Sequence, residues 1–355
     1  MRKQQKFFSI IIPTFNAKKY IGRCISSILE NIYPFYEIIV VDNGSTDDTL
    51  NYLKDAFSKE LAKIKFVVLD RNYGPARARN EGVKFARGQY LAFLDSDTEV
   101  EKNWIYEALK CFEKNKKVAA LQCKLLLMSN RNCYDYAGEY LGSLGFLIPV
   151  ASYGENDHGQ YDSFRKILAA KSAGMFIRKD VFDKIGGFDE DYFIFLEETD
   201  LGWRCWLAGY EVIFCPLSIV YHHFSATKDI VDKDFNNYLA RFHGPKNYIM
   251  TLYKNLSGRY LLKILPIHIF LWFCLSFYLL LTGNFISSSN ICKGILWNLT
   301  NFTKNKAKRR VIQKNRLSTD TNIFGSLALL KNIGVNYYIN RWFLSQKENV
   351  TQENQ

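Results

Sequence analysis

"YLAFLDSDTEV", residues 90–100, opens as an apolar run and ends acidic. It places Asp95 and Asp97 one residue apart, with Ser96 between them. Extended backbone points alternate side chains the same way, so both carboxylates are expected to face one spot. At ~5 Å and an effective dielectric near ~20 they repel by about 3 kcal/mol. Positive charge is therefore expected beside them.

The residues before this stretch alternate between two periodicities. "FFSIIIPTFN" (7–16) is a short apolar run closed by a proline, as expected for a strand buried on both faces. The next segment carries Tyr20, Ile21, Cys24, Ile25, Ile28 and Leu29 at helical spacing. "YEIIVVDNGSTDDT" (36–49) reads as a strand, a turn and the start of a helix bearing Leu50, Leu53 and Phe57. Ser45 or Thr46 with Asp47 or Asp48 is expected to cap that helix. "IKFVVLDRN" is a third strand, "GPARARNEGVKFARG" a third helix and "QYLAFLDSD" a fourth strand. Such alternation predicts an open, mostly parallel α/β sheet. Ligands of these sheets bind outside the carboxyl ends of the strands, which is where Asp42, Asn72 and Asp95 fall.

Composition is that of a folded chain: 355 residues, 48% hydrophobic and 23% charged. The eight cysteines form no CxxC pair and no zinc-type cluster with histidine, so they read as single buried thiols in a reducing compartment. The basic N-terminus has an apolar stretch too short for a signal segment, and a cytosolic or cytosol-facing protein is expected. Net charge is +12, all of it from residues 226–355, which hold 18 basic and 6 acidic side chains. That asymmetry points to a polyanion or an anionic membrane face. A boundary near 225 is expected, between a catalytic domain (1–225) and a basic helical, membrane-associated extension (226–355).

Four motifs in order, "SIIIPTFNAKKYIGRCISSIL", "IIVVDNGSTDDT", "RNYGPARARNEGVKFARGQYLAFLDSD" and "GGFDEDYFIFLEETDLGWR", resemble family 2 glycosyltransferases, which have the GT-A fold. The last is similar to rhamnosyltransferase-like members. The resemblance spans about residues 7–225 and implies a role for each rim residue. Asp42 pairs with a base N–H or a ribose hydroxyl, and Pro13, Thr14 and Asn16 line the turn beside it. Asn72 and Gly74 belong to the next rim loop, and Arg71 and Arg79 are candidate diphosphate contacts. Asp95 and Asp97 resemble the family's DxD pair, which implies Mg²⁺ or Mn²⁺ held against the diphosphate of a nucleotide-sugar, with Ser96 at the same turn. His222, with His223 as the alternative, corresponds to a further metal ligand in some members. Glu198 takes the place of the acid that deprotonates the acceptor hydroxyl, where members often carry Asp; Asp200 is the second candidate. Trp203 and Trp206 suggest either an acceptor platform or core packing, and Arg204 either an acceptor contact or a support for the acidic loop. The resemblance implies an inverting enzyme and a glycan or lipid-linked glycan acceptor.

Residues 261–282 are apolar and long enough for ~33 Å of helix. Donor chemistry belongs in the cytosol, and a single span would place the basic stretch 304–316 outside, against the positive-inside tendency. Three arrangements follow: a peripheral or re-entrant helix at the cytoplasmic face, a true span, or a buried core helix. A processive synthase would carry Gln-x-x-Arg-Trp; Arg341 and Trp342 are present, with Tyr338 where Gln is needed. A sugar-phosphate nucleotidyltransferase would need glycines that "PTFNAKKY" lacks. The basic extension shows no recognised nucleic-acid-binding motif, so no nucleic-acid partner is expected.

Overall fold

The structure, a computed structural model, describes residues 5–163, 165–223 and 238–326. The stretch with Tyr338, Arg341 and Trp342 lies outside the described residues.

The predicted alternation is present. β1 (Phe8–Thr14), β2 (Tyr36–Asp42), β3 (Ile64–Val68) and β4 (Tyr90–Phe93) are separated by α1 (Lys18–Leu29), α2 (Thr49–Ala56) and α3 (Pro75–Val83). β1 pairs in parallel with β2 and β4, and β2 with β3. Every residue of β2 is buried, as both covered faces require. On α3 a Cβ at Gly82 would stand 2.7 Å from Ile11 and 2.8 Å from Val41, so glycine lets the helix close onto the sheet.

The second part of the sheet comprises β5 (Thr98–Val100), β6 (Val118–Leu127), β7 (Tyr134–Tyr136), β10 (Arg165–Lys166), β11 (Met175–Arg178) and β12 (Glu211–His222); β8 (Glu139–Leu141) and β9 (Leu147–Pro149) form a separate hairpin. The main order is β10-β12-β6-β11-β4-β1-β2-β3. β11 lies antiparallel between β4 and β6, while β6 and β12 run parallel. The sheet is thus mixed, and its longest ladders are parallel. α4 (Trp104–Lys114), α5 (Lys179–Ile185) and α6 (Glu197–Leu207) complete this part. One expectation fails: the cysteines are not all single buried thiols, because Cys111 of α4 and Cys215 of β12 lie against each other and Cys274 and Cys292 are exposed. A separation of 104 residues left no spacing signal for that pairing.

Five helices follow: α7 (Gly244–Asn255), α8 (Gly258–Leu281), α9 (Phe285–Thr300), α10 (Phe302–Lys314) and α11 (Asp320–Ser326). α8 and α9 fold back on each other, with Ser276 Oγ 2.9 Å from Ser288 Oγ. α8 is long and apolar enough to cross a membrane, with a mean hydropathy of 2.2. It is not a buried core helix. Ile264, His268, Trp272, Ser276 and Leu279 are buried, while Leu262, Ile267, Phe270, Phe273, Phe277 and Leu281 are exposed along the opposite stripe. The basic excess does not all face outward. Lys254 and Lys308 pair with Asp189, Lys304 and Lys308 with Asp191, and Lys254 also with Asp200.

Candidate functional site

Strand register gathers the first residues of the site. Thr14 lies opposite Asp42 at the ends of β1 and β2, and Asp95 follows two residues after the Ile11–Phe93 pair of β1 and β4. Asp42 is buried, and its Oδ1 accepts the Ser45 N–H at 3.2 Å. Thr14 Oγ1 is buried without a hydrogen-bond partner among the described residues, and Pro13 precedes it at the rim. Arg71 is exposed and lies 4.8 Å over the Tyr73 ring.

Three other predicted donor contacts also shape the rim loops. Asn16, at φ 50°, accepts through Oδ1 from the backbone N–H groups of Thr46 (2.8 Å) and Asp47 (3.3 Å), tying two rim loops together. Asn72 Oδ1 accepts from Asn43 Nδ2 and the Gly74 N–H, each at 2.9 Å. Gly74 has φ +81°, and a Cβ there would stand 2.6 Å from the Phe193 carbonyl oxygen. Its close approach is to another loop of this chain.

Asp95, Ser96 and Asp97 do not lie in a strand, as strand alternation had suggested. β4 ends at Phe93, and the three occupy a turn before β5, closed by Thr98 Oγ1 donating to the Asp95 carbonyl at 2.8 Å. The turn still brings both carboxylates together. Ligand atoms of Asp95, Asp97 and His222 all lie within 4.8 Å of one another. His222 ends β12 opposite Thr98. Its Nδ1 is 2.8 Å from Asp135 Oδ2, and its Nε2 is 3.5 Å from Asp97 Oδ1. A buried carboxylate behind Nδ1 fixes the ring and turns Nε2 toward the acidic pair, the usual support of a metal-binding histidine. Burial acts to lower the His222 pKa, but the bonds to Asp135 and Asp97 outweigh it and raise the value to about 10. His223 instead packs against Tyr20, with ring centroids 5.0 Å apart. Two carboxylates and a braced imidazole fit Mg²⁺ or Mn²⁺.

A buried positive charge beside Asp95 comes from Arg79, which was expected at the diphosphate. Its guanidinium is buried, with Nη2 2.9 Å from Asp95 and Nη1 3.0 Å from Glu197 and 4.0 Å from Glu198. It is not a diphosphate contact, because its charge is already enclosed by carboxylates. Burial and the neighbouring Glu198 raise the Glu197 carboxyl to about 8 despite Arg79. Glu198 is the more accessible of the two: its side chain is 18% exposed, that of Glu197 only 3%. Its Oε1 accepts from Ser172 Oγ at 2.6 Å and from the Ser172 N–H at 3.3 Å.

The remaining acceptor-side expectations are corrected. Asp200 is fully buried and bound by Arg204 Nε (2.7 Å), Lys254 Nζ (3.0 Å) and Asn255 Nδ2 (2.9 Å), so it has no free face for an acceptor hydroxyl. Trp203 is buried against Phe324, and Trp206 is buried with its indole N–H on the Ile167 carbonyl. Arg204 donates to Asp200 and to the Ile185 and Gly187 carbonyls, bracing the loop between α5 and α6. At three- and four-residue spacing these side chains share the core face of α6.

The loop before α6 is strained. Phe193, Phe195 and Leu196 have φ of 63°, 67° and 64°, at a cost of order 1–3 kcal/mol each. Sequence reasoning missed Asp135, Ser172 and this strain. No local pattern marks the first two, because they meet their partners from 87 and 26 residues away.

The fold and these motifs define a GT-A glycosyltransferase. The chain belongs to the family described as "Glycosyl transferase family 2", whose model matches residues 9–186. Among its relatives, glycosyltransferase AglE of Haloferax volcanii is 27% identical over 242 residues, which cover 64% of this chain and 71% of AglE. O-antigen biosynthesis protein RfbC of Myxococcus xanthus is 28% identical over 229 residues, which cover 62% of this chain but only 17% of RfbC. In fold, the chain is similar to the mannosyltransferase PcManGT from Pyrobaculum calidifontis, solved in complex with GDP-Man and Mn²⁺. That match has a TM-score of 0.53 and 14% identity, and it covers 91% of this chain and 88% of the other.

Glu197 generates a pH dependence. Its folded pKa stands above the ordinary value of 4.5, so between about pH 4.5 and 8 the native chain keeps a proton that the unfolded chain has lost. Stability from this group therefore falls as pH rises through that window. In Glu197→Gln, urea midpoints measured from pH 5 to 8 are expected to decline less steeply than in the wild type.

Proposed function

We propose that this chain transfers a hexosyl or deoxyhexosyl group from a nucleotide-diphosphate donor to a hydroxyl of a growing surface glycan, with inversion. The observation that carries the reading is the Asp95–Asp97–His222 cluster, joined through Arg79 to Glu198. The division is a catalytic part (1–225) and a helical extension (226–355). Asp42, Pro13, Thr14 and Arg71 bind the donor at the rim, with Ser96 at the acidic turn. Asp95, Asp97 and His222 hold Mg²⁺ or Mn²⁺, which when bound neutralises charge on the leaving diphosphate. The Glu198 carboxylate accepts the proton of the acceptor hydroxyl. The acceptor oxygen bonds to the anomeric carbon as the bond from that carbon to the diphosphate oxygen breaks on the opposite face. Arg79 places a positive charge 4.0 Å from the Glu198 carboxylate. The resemblance of the stretch 186–204 to rhamnosyltransferase-like members supports a deoxyhexose as well as a hexose donor.

The apolar α8–α9 hairpin supports a lipid-linked acceptor at the cytoplasmic face. Its tip presents Leu280, Leu281, Phe285 and Ile286 to the outside, and no charged residue occurs between Lys263 and Lys293. Lys293 is about ten residues past the turn, or ~15 Å of helix. That is half of a ~30 Å hydrocarbon core. A hairpin inserted into one leaflet keeps Lys293 at the headgroups, whereas a full crossing would carry it to mid-bilayer. The re-entrant arrangement is therefore preferred over a span.

Glu198→Gln is expected to lower kcat by about 10²–10⁴. Asp97→Ala is expected to abolish Mn²⁺-dependent nucleotide-sugar turnover; wild-type turnover in both variants would remove the assignment. In flotation with vesicles containing anionic lipid, the wild type is expected to rise with the vesicles. Phe285→Asp with Ile286→Asp is expected to stay behind, and equal flotation of the two would contradict the hairpin reading.

A further inference from the structure

The strained loop before α6 is held from behind by one helix of the C-terminal extension. Asn247 of α7 donates through Nδ2 to three carbonyl oxygens, those of Tyr192 (3.2 Å), Ile194 (2.7 Å) and Phe195 (2.9 Å). An amide nitrogen carries two hydrogens, so one of them is shared. Asn247 is fully buried, and its Oδ1 has no hydrogen-bond partner among the described residues. Flipping the amide would set an oxygen against three carbonyls, which fixes its orientation.

The same face of α7 continues the hold. Thr251 Oγ1 meets the Tyr192 hydroxyl at 2.6 Å, and Asn255 Nδ2 and Lys254 Nζ reach Asp200 Oδ1 at 2.9 and 3.0 Å. Residues 247, 251, 254 and 255 are spaced to lie along one stripe of a helix. From the other side, Gly74 admits the Phe193 carbonyl into contact with the rim. α6 starts from Leu196, whose carbonyl accepts the Asp200 N–H at 2.9 Å. Glu197 and Glu198 thus lie between two anchor points, the 192–195 carbonyls and the Asp200 carboxylate, and both are gripped by α7.

We propose that Asn247 is the positioning residue for the base: by gathering the 192–195 carbonyls it sets the left-handed turn that aims Glu198. The inference rests on reading Glu198 as the base, and it makes α7 part of the catalytic apparatus. Without the amide donor, the Ile194 and Phe195 carbonyls lose their bond to α7, the Tyr192 carbonyl keeps the Ile194 N–H at 2.8 Å, and the residues with positive φ relax. The first turn of α6 then shifts, while the β1–β4 rim that binds the nucleotide is untouched.

The test uses Asn247→Ser and Asn247→Asp in the full chain, beside Glu198→Gln. Three quantities are read: amide hydrogen exchange over residues 193–200, Mn²⁺-dependent binding of UDP and GDP, and kcat for nucleotide release from a nucleotide-sugar panel. Exchange over 193–200 is expected to quicken by about tenfold or more. Turnover is expected to fall by about a hundredfold, with nucleotide binding unchanged to within about twofold. Wild-type protection of these amides, or wild-type kcat, in both variants overturns the inference. So does parallel loss of nucleotide binding, because the effect is then not confined to the base loop. Full turnover in Glu198→Gln would sink the base assignment alone, and the exchange data would still decide whether Asn247 sets the loop.

Discussion

Too many carboxylates meet at one edge of the sheet, and the arrangement of the site follows from how their charge is balanced. Asp95, Asp97, Asp135, Glu197 and Glu198 converge on one buried guanidinium and one imidazole. Arg79 joins the pair beyond β4 to the first turn of α6. Removing a lone partner from such a buried set leaves uncompensated charge, at a typical cost of about 3–5 kcal/mol. The proton that Glu197 keeps relieves one charge. The remaining excess is on the Asp95–Asp97 side, where a divalent cation is the natural counter-charge. The acidic turn after β4 and the first turn of α6 are therefore linked by a single side chain.

The C-terminal helices join this balance and do more than append a basic tail. Lys254, Lys304 and Lys308 pair with Asp189, Asp191 and Asp200 of the stretch 186–204. α9 is fastened to α7 in turn: Asn298 Nδ2 donates to the Lys246 carbonyl at 3.0 Å, and a Cβ on Gly294 would stand 2.4 Å from the Phe242 carbonyl oxygen. The helix that grips the base loop is thus packed directly against one leg of the apolar hairpin.

Much of this was legible in the chain. The two hydrophobic periods from Phe8 to Phe93 identified four strands and three helices, and apolar runs ending in Asp42 and Asp95 marked the rim. What stayed hidden was which polar residues turn inward. Arg79 sits in a helical segment that gives no sign of burial, and only the folded sheet brings carboxylates from residues 95 and 197 to it. Asp200 stood as the second candidate for the base until Lys254 and Asn255, more than fifty residues later, closed over it. For Trp203 core packing was the commoner reading and an acceptor platform the other, and helical spacing alone does not say which face α6 buries. The brace on His222 comes from Asp135, 87 residues earlier, across a sheet order that local pattern does not encode.

The central claim is that Asp95, Asp97 and His222 grip one divalent cation at the rim. Pulsed electron paramagnetic resonance of Mn²⁺ bound with a nucleoside diphosphate reads it directly, because a coordinated imidazole nitrogen modulates the manganese signal. The account predicts nitrogen coupling in the wild type, its loss in His222→Ala, and its retention in His223→Ala. Absence of the coupling in the wild type, or its persistence without His222, would contradict the account.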